Sequence, residues 1–226
     1  MERVDVLRQL AHDIVSVHCP HPVRVAIDGI DAAGKTTLAD DLARLVEAQG
    51  RPLIRASLDG FHRPRAERYQ QGADSAVGYY QDSFDYVALR GTLLHPLGPA
   101  GTRVYRRAVF DHLTDAPLPS TQERAPDHAV LLFDGIFLLR PELDGLWDVS
   151  IFVDVAFEIA LQRALVRDQA HFGSSADVEA RYLQRYFPAQ RTYLNTLQPR
   201  QRANVVVVND DPTPPRLKPA AQWPHA

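Results

Sequence analysis

A glycine-rich turn between an apolar run and a periodic helix constrains this chain more than any other stretch. Residues 29–36 match the pattern G-x-x-x-x-G-K-[ST] at every fixed position. Two glycines at this spacing let the backbone close around an anion, and successive N–H groups then face that anion at the start of a helix. The apolar residues of 23–27 and the periodic residues of 38–46 predict the strand and the helix that the motif requires on either side. The sequence therefore predicts a phosphate-binding loop.

This loop and one distant aspartate predict a site for ATP and Mg²⁺. We expect Lys35 to contact the β- and γ-phosphates and the Thr36 hydroxyl to ligate the metal. Asp134 ends an apolar run and is predicted to hold the same Mg²⁺; the alternative is a turn aspartate before Gly135. The residues predicted to bind ATP are Gly29, Asp31, Ala32, Ala33, Gly34, Lys35, Thr36, Thr37, Arg163 and Arg167, with Thr36 and Asp134 on the metal.

Composition narrows the classes of partner. The net charge is −3 at pH 7, so there is no basic excess to favour a nucleic acid polymer. No uninterrupted apolar run is long enough to span a bilayer, and the N-terminus lacks the apolar core of a signal peptide. A single cysteine excludes an intrachain disulfide and suits a reducing compartment. We therefore predict a cytoplasmic protein that binds ATP and a small-molecule acceptor, with a homo-oligomeric state left open.

The order of apolar and periodic segments predicts the fold class. Apolar runs typical of strands buried on both faces alternate with helical segments, which favours an α/β fold. We predict a P-loop NTPase fold: a five-stranded, mainly parallel sheet with helices on both faces, plus a small acceptor-binding insertion and a lid. The chain is read as a single domain over 1–226, with an N-terminal helix in 1–20, an acceptor-binding region in 60–128, a lid in 168–176 and a loose tail in 210–226.

A second strand-end carboxylate is the candidate for catalysis. Asp59 follows the predicted strand 53–57, at the edge where ligands bind in parallel sheets. There it is placed to take a proton from an acceptor hydroxyl; the alternative is an aspartate that caps a turn with Gly60. Arg163 and Arg167 share a helix face and are predicted to neutralise phosphate charge, unless that face is merely exposed.

Five motifs together resemble the uridine kinase-like family, which includes phosphoribulokinases and type I pantothenate kinases. GIDAAGKTT, SLDGFHRPR, QDSFD, LLFDGIF and ALVRD occur in this order within residues 23–208. The resemblance implies ATP-dependent phosphorylation of a small hydroxyl compound, most simply the 5′-hydroxyl of a nucleoside. It implies that Asp59 is the base, that Asp134 replaces the family's usual glutamate, and that Arg167 is the lid arginine. Lys35 completes the predicted catalytic set.

The acceptor itself stays open among several classes. Uridine–cytidine kinases carry a tyrosine where this chain has Phe110, which can stack on a base but cannot hydrogen-bond it. A pantothenate- or sugar-type acceptor is therefore an alternative, and a nucleotide-dependent switch is the alternative from another class. An aromatic, ionisable pocket beside the base distinguishes the kinase from the switch. The predicted acceptor-binding residues are Asp59, His62, Tyr79, Asp82, Arg107 and Phe110.

Overall fold

A six-stranded sheet forms the centre of the computed structural model, which describes residues 2–213 and 215–219. Its strands are β1 (Val23–Gly29), β2 (Leu53–Ser57), β7 (Val130–Asp134), β8 (Val149–Asp154), β9 (Val205–Val208) and β10 (Arg216–Pro219). Their order across the sheet is β10-β9-β8-β1-β7-β2, and all pairs are parallel except β9 with β10. Two small antiparallel pairs lie outside the sheet: β3 (Val104–Tyr105) with β6 (Glu123–Arg124), and β4 (Phe110–Asp111) with β5 (Ala116–Pro117).

Helices cover both faces of this sheet. They are α1 (Arg3–Ser16), α2 (Lys35–Ala48), α3 (Arg65–Arg68), α4 (Ala76–Asp82), α5 (Tyr86–Leu89), α6 (Phe157–Arg167), α7 (Gln169–Phe172), α8 (Ser175–Arg181), α9 (Phe187–Leu197) and α10 (Pro199–Arg202). Short 3₁₀ turns span Leu58–Phe61 and Pro141–Leu143, and π-helical turns span Arg90–Leu94 and Tyr182–Tyr186. The predicted α/β architecture with a mainly parallel sheet and helices on both faces is confirmed.

The alternation of side chains along the strands explains this arrangement. In β7, Leu132 packs into an apolar cluster with residues of α1, α2 and α6, whereas Leu131 and Phe133 pack into a second cluster with α5 and α9. Every residue of β7 is buried, as expected for a strand that is covered on both faces. Burial of apolar surface against two helical layers is therefore what holds the sheet.

The register of the parallel strands brings three carboxyl ends together. Asp134 at the end of β7 pairs with Ile27 of β1 on one side and with Ser57 of β2 on the other. The segments that leave these three strands consequently start from one edge of the sheet. In a parallel sheet this edge is where ligands bind.

The sheet has six strands rather than the five predicted from the sequence. The additional strand, β10, lies within the predicted loose tail 210–226 and pairs with β9 from Arg216 to Pro219. Leu217 packs against the main core cluster, but a four-residue strand that contains a proline is too short to give a strand signal in the sequence. The tail prediction is therefore wrong for 216–219, while residue 214 and residues 220–226 lie outside the described residues.

The predicted lid region contains two short helices. α7 and α8 meet at Gly173, whose φ of +103° suits glycine. That this segment moves on ligand binding stays a prediction. Among the described residues, none of the helices is both long and apolar enough to cross a membrane.

A buried ion pair fastens β1 to the start of β8. The Arg24 side chain is almost fully buried, and its Nε and Nη2 atoms donate to the two carboxylate oxygens of Asp148 at 3.0 and 2.9 Å. Asp148 also accepts a hydrogen bond from the Arg24 backbone N–H at 2.8 Å. Breaking such a pair from one side leaves the other charge buried and unpaired.

We expect Asp148→Ala to lower the free energy of unfolding by about 3–5 kcal/mol, because Arg24 then loses its buried partner. The matched control is Asp144→Ala, which breaks the more exposed pair with Arg202 and should cost at most about 1 kcal/mol. Chemical denaturation of both variants measures the difference. Equal losses of stability would contradict the structural role of the Arg24–Asp148 pair.

Candidate active site

The loop between β1 and α2 has the shape of an anion cradle. Gly29 and Gly34 have φ angles of +152° and +92°, and Ala32 is also left-handed at +58°. A Cβ added to Gly29 would lie 2.5 Å from the Val153 carbonyl oxygen, and one added to Gly34 would lie 2.8 Å from the Asn209 amide nitrogen. The backbone therefore needs glycine at both positions. Loops with left-handed residues at such intervals are of the kind whose backbone N–H groups form a concave anion site.

Lys35 lies folded over this loop. Its Nζ donates to the Ile30 carbonyl at 2.7 Å and its side chain is largely buried. An ammonium group has three donors, so two remain for a phosphate. Asp31, Ala32, Lys35 and Thr36 line the adjoining cavity, while Gly29, Ala33, Gly34 and Thr37 belong to the loop backbone and the first turn of α2 behind it.

Thr36 and Asp134 meet at the end of the sheet, as the sequence predicted for a metal pair. The Thr36 hydroxyl donates to Asp134 Oδ2 at 2.6 Å, and Arg55 Nη1 lies 2.8 Å from Asp134 Oδ1. The Asp134 side chain is nearly inaccessible apart from the cavity that it lines. A hydroxyl and a carboxylate side by side are oxygen donors of the type that Mg²⁺ takes, so the residues present fit that ion.

Asp59 opens into the same cavity from the 3₁₀ turn after β2. Ser57 caps this turn by accepting from the Asp59 N–H at 3.3 Å, while the Asp59 carboxylate accepts no hydrogen bond from the described residues. The protein around the cleft partly desolvates the Asp59 carboxylate and so raises its pKa, although the residue is exposed to solvent at the cleft. The charge of His112 opposes this increase, and that of Asp134 adds to it. The arrangement does not support the alternative in which Asp59 caps the turn.

The cavity has a volume of about 430 Å³ and reaches from the phosphate loop to the acceptor-binding region. His62 and His112 stack at its wall with ring centroids 4.8 Å apart, and His62 Nδ1 lies 3.0 Å from the Asp59 carbonyl oxygen. Burial lowers the pKa of His62 to about 4, which leaves its ring neutral at pH 7. The aromatic and cationic residues that line the cavity, besides Lys35, are His62, Arg65, Arg68, Tyr69, Tyr79, Phe84, His112, Arg167, His171, Phe172, Tyr182 and Tyr186.

The carboxylate of Asp31, in the phosphate loop, is held by side chains of two helices. Asp31 Oδ2 accepts from the Tyr79 hydroxyl at 2.8 Å and from Gln190 Nε2 at 2.6 Å. Tyr79 lies on α4 in the acceptor-binding region, and Gln190 lies on α9 beyond the lid. Tyr79 thus lines the cavity as predicted, but its hydroxyl is already engaged by Asp31.

Arg167 lines the cavity in an ion pair with its neighbour. Its Nε and Nη2 donate to Asp168 at 2.6 and 3.0 Å, and Nη2 also donates to the Tyr182 hydroxyl at 3.1 Å. Its side chain is 59% exposed, which leaves the guanidinium accessible from the cleft. An approach of Arg167 to a phosphate therefore requires only a local rearrangement at the end of α6.

Four further predicted contact residues, outside the phosphate loop, do not line this cavity either. Arg163 donates to the carbonyls of Asn209 and Asp210 at 2.7 and 3.1 Å, on the loop after β9. Asp82 is buried and accepts a hydrogen bond from Gln71. Arg107 forms an ion pair with Glu123, and Phe110 is a buried residue of the short strand β4. The structure therefore does not support the predicted contacts of Arg163, Asp82, Arg107 and Phe110.

Sequence reasoning missed the residues that hold the loop from behind. Asp28 is fully buried and does not line the cavity. Its carboxylate accepts hydrogen bonds from the Gly29 N–H at 2.8 Å and from the Tyr193 hydroxyl. Burial raises the pKa of Asp28 to about 6. Asn209 Nδ2 donates to the Ala33 carbonyl at 2.7 Å. Asp28 carried a signal, since a carboxylate inside an apolar strand needs a buried partner; Tyr193 and Asn209 carried none.

Comparison with known proteins agrees with this geometry. The chain is 27% identical over 192 residues to a uridine-cytidine kinase B of Dictyostelium discoideum, covering 84% of this chain and 76% of that protein. It is 25% identical over 203 residues to a uridine kinase of Leuconostoc citreum, covering 83% and 92%. Its fold matches a structure described as a possible uridine kinase from Bacillus stearothermophilus, with a TM-score of 0.70, 24% identity, and coverage of 90% and 97%.

The family model described as the phosphoribulokinase / uridine kinase family matches residues 25–213. This span contains the phosphate loop, the Thr36–Asp134 pair and Asp59. The chain therefore belongs to the phosphoribulokinase / uridine kinase family.

Proposed function

We propose that this protein transfers the γ-phosphoryl group of ATP to a hydroxyl of a small molecule. The observation that carries the proposal is that Asp59, a carboxylate without a hydrogen-bond partner among the described residues, opens into the same cavity as Lys35 and the Thr36–Asp134 pair. Membership of a kinase family supports the ATP-dependent class of reaction. A nucleoside 5′-hydroxyl is one candidate acceptor, supported by the names of the relatives.

The proposed reaction is a single in-line displacement. The acceptor hydroxyl oxygen forms a bond to the γ-phosphorus. The bond between that phosphorus and the oxygen that bridges the β- and γ-phosphorus atoms breaks, and ADP leaves with the electron pair. Asp59 accepts the hydroxyl proton as the new bond forms. Its raised pKa brings the carboxylate closer to the range in which it both stays ionised near pH 7 and accepts a proton.

The phosphate loop and its neighbours supply binding and charge. Backbone N–H groups and Lys35 hold the β- and γ-phosphates, and Arg167 adds positive charge from the lid side. Mg²⁺, when bound, would be held by Thr36 and Asp134 and would neutralise phosphate charge. Arg55 keeps the Asp134 carboxylate oriented through the 2.8 Å ion pair.

A nucleotide-dependent switch is the competing proposal, and product formation separates it from the kinase. A switch hydrolyses or exchanges its nucleotide without a second substrate, whereas a kinase releases ADP when an acceptor is added. Incubation with ATP, Mg²⁺ and a panel of hydroxyl compounds, followed by detection of ADP and of the phosphorylated acceptor, tests this. Nucleotide binding without phosphorylation of any acceptor would contradict the proposal.

We expect Asp59→Asn to lower kcat by roughly 10²–10⁴-fold, since asparagine holds a hydroxyl but does not accept its proton. ATP affinity and melting temperature should stay close to wild type, because the carboxylate accepts no hydrogen bond from the residues that the structure describes. In the wild type, kcat/KM should fall as the pH drops through a raised pKa, and this limb should be absent in the variant. Near-normal kcat at saturating acceptor would remove Asp59 from the mechanism.

Lys35→Ala should abolish turnover and weaken ATP binding while the protein stays folded. The only hydrogen bond that the Lys35 side chain makes to the described residues is to the Ile30 carbonyl, so its charge serves the phosphates rather than the core. Arg44→Ala removes a cation from the exposed side of the same helix and should change neither quantity. Calorimetric titration with ATP and a steady-state assay measure both, and wild-type turnover would contradict the loop assignment.

Activity should require Mg²⁺ or Mn²⁺, and Asp134→Asn should raise the half-saturating metal concentration by about tenfold or more. The reason is that asparagine removes the negative charge beside Thr36 while keeping an oxygen donor. A metal titration at fixed ATP gives the shift. Full turnover in excess chelator would exclude the Thr36–Asp134 metal site.

A further inference from the structure

The acceptor end of the cavity is bounded by two arginines of one short helix. Arg65 and Arg68 begin and end α3, and both line the cavity. Asp115, in the turn after β4, accepts from the Arg65 backbone N–H at 2.8 Å and from Arg68 Nη2 at 3.0 Å. A single carboxylate therefore joins this helix to the hairpin through the Arg65 backbone and holds the Arg68 guanidinium directly.

Positive charge at this end exceeds its protein partners. The Arg65 guanidinium has no hydrogen-bond or ion-pair partner among the described residues, and Arg68 has only Asp115. Arg68 is 8% exposed, and its Nε atom is buried without an acceptor. Two arginines share one carboxylate, so one positive charge remains available to a ligand. Glu67, the acidic residue of α3 itself, lies 3.7 Å from Arg63 and does not line the cavity.

Few neutral polar groups of the lining are free to recognise an uncharged ligand. Two of the four lining tyrosine hydroxyls donate to carboxylates of the protein, Tyr79 to Asp31 and Tyr182 to Asp168, and the other two, Tyr69 and Tyr186, accept from Arg181. The described lining residues include no asparagine or glutamine side chain, which are the usual readers of a base edge. The charged donors at this end are the guanidinium groups of Arg65 and Arg68.

The two arginines and the candidate base belong to one cavity. Asp59, Arg65 and Arg68 all line it, and so does His62, whose Nδ1 lies 3.0 Å from the Asp59 carbonyl oxygen. Its volume of about 430 Å³ is in the range of small-molecule sites. A compound that carries both a hydroxyl and an acidic group presents one group for each kind of side chain.

We propose that the acceptor carries a carboxylate or a phosphate monoester, held by Arg65 and Arg68 while its hydroxyl faces Asp59. This inference rests on the proposed kinase function and narrows its substrate class. Guanidinium groups match both kinds of anion with paired, charge-assisted hydrogen bonds, which neutral sugars and nucleosides do not form. Two arms of the test distinguish hydroxy carboxylates from sugar phosphates.

The first experiment compares acceptors at fixed ATP and Mg²⁺. The carboxylate arm uses glycerate and pantothenate, the phosphate arm uses ribulose 5-phosphate and fructose 6-phosphate, and the neutral arm uses uridine, cytidine and fructose. ADP release and the binding of each acceptor in the presence of a non-hydrolysable ATP analogue are both measured. We expect turnover, with a higher kcat/KM than any neutral compound gives, in at least one anionic arm.

The second experiment changes the charge of the anchor. Arg65→Gln should raise KM for the anionic acceptor about tenfold, the loss expected for one charge-assisted hydrogen bond, with kcat and ATP affinity nearly unchanged. Arg65 is exposed and its side chain has no hydrogen-bond or ion-pair partner among the described residues, so this variant should fold. Arg124→Gln, an exposed arginine of the same region outside the cavity wall, is the matched control and should keep the wild-type KM.

The outcomes separate this inference from the kinase proposal. Anion binding that Arg65→Gln weakens, without turnover of any acceptor, supports the anchor and contradicts the kinase. Phosphorylation of a neutral compound with a kcat/KM equal to or above that of every anionic one supports the kinase and overturns the anchor. Absence of both binding and turnover in the anionic arms overturns the anchor as well, and so does an Arg65→Gln variant with an unchanged KM.

Discussion

The hydrogen bond from Thr36 to Asp134 joins the two parts of the chain on which the site depends. Its 2.6 Å length requires that α2 begins directly over the end of β7. That position follows from the parallel register, which sets Asp134 beside Ile27 of β1 and Ser57 of β2. Since Asp59 follows Ser57 by two residues, the same register also brings the candidate base to the phosphate loop. One strand pairing thus positions both the predicted metal ligands and the candidate base.

The loop is equally held on the side away from the cavity. Asp28, buried at the end of β1, bonds to the Gly29 N–H and to Tyr193 of α9, whose hydroxyl accepts from the Leu139 N–H at 3.0 Å. Asn209 bonds to the Ala33 carbonyl from the end of β9. An unpaired polar group here would cost its full desolvation free energy, so these contacts fix the loop in one shape before any nucleotide arrives.

What the sequence predicted well were features with local causes. The phosphate loop, Asp134 and Asp59 follow from a motif and from the rule that parallel strands end at one edge, and the structure places all of them on one cavity. Gln190 and Tyr193 reach the loop from more than 150 residues away in the chain, and no spacing rule connects them to it. Phe110 and Arg107 do not line the cavity, since a short strand or loop carries no sequence signal for which side chains face inward. The β10 strand was missed because four residues, one of them proline, are too short to give a periodic signal.

The grip of Tyr79 and Gln190 on Asp31 has a thermodynamic consequence. The phosphate loop shares this carboxylate with α4, which borders the cavity, and with α9. A ligand that displaces Tyr79 from Asp31 would therefore alter the free energy of the loop. Because linkage between two binding sites is reciprocal, a ligand of the loop would then alter the affinity for the first ligand by the same factor. Such coupling would run through three side chains, Asp31, Tyr79 and Gln190, without any movement of the sheet beneath them.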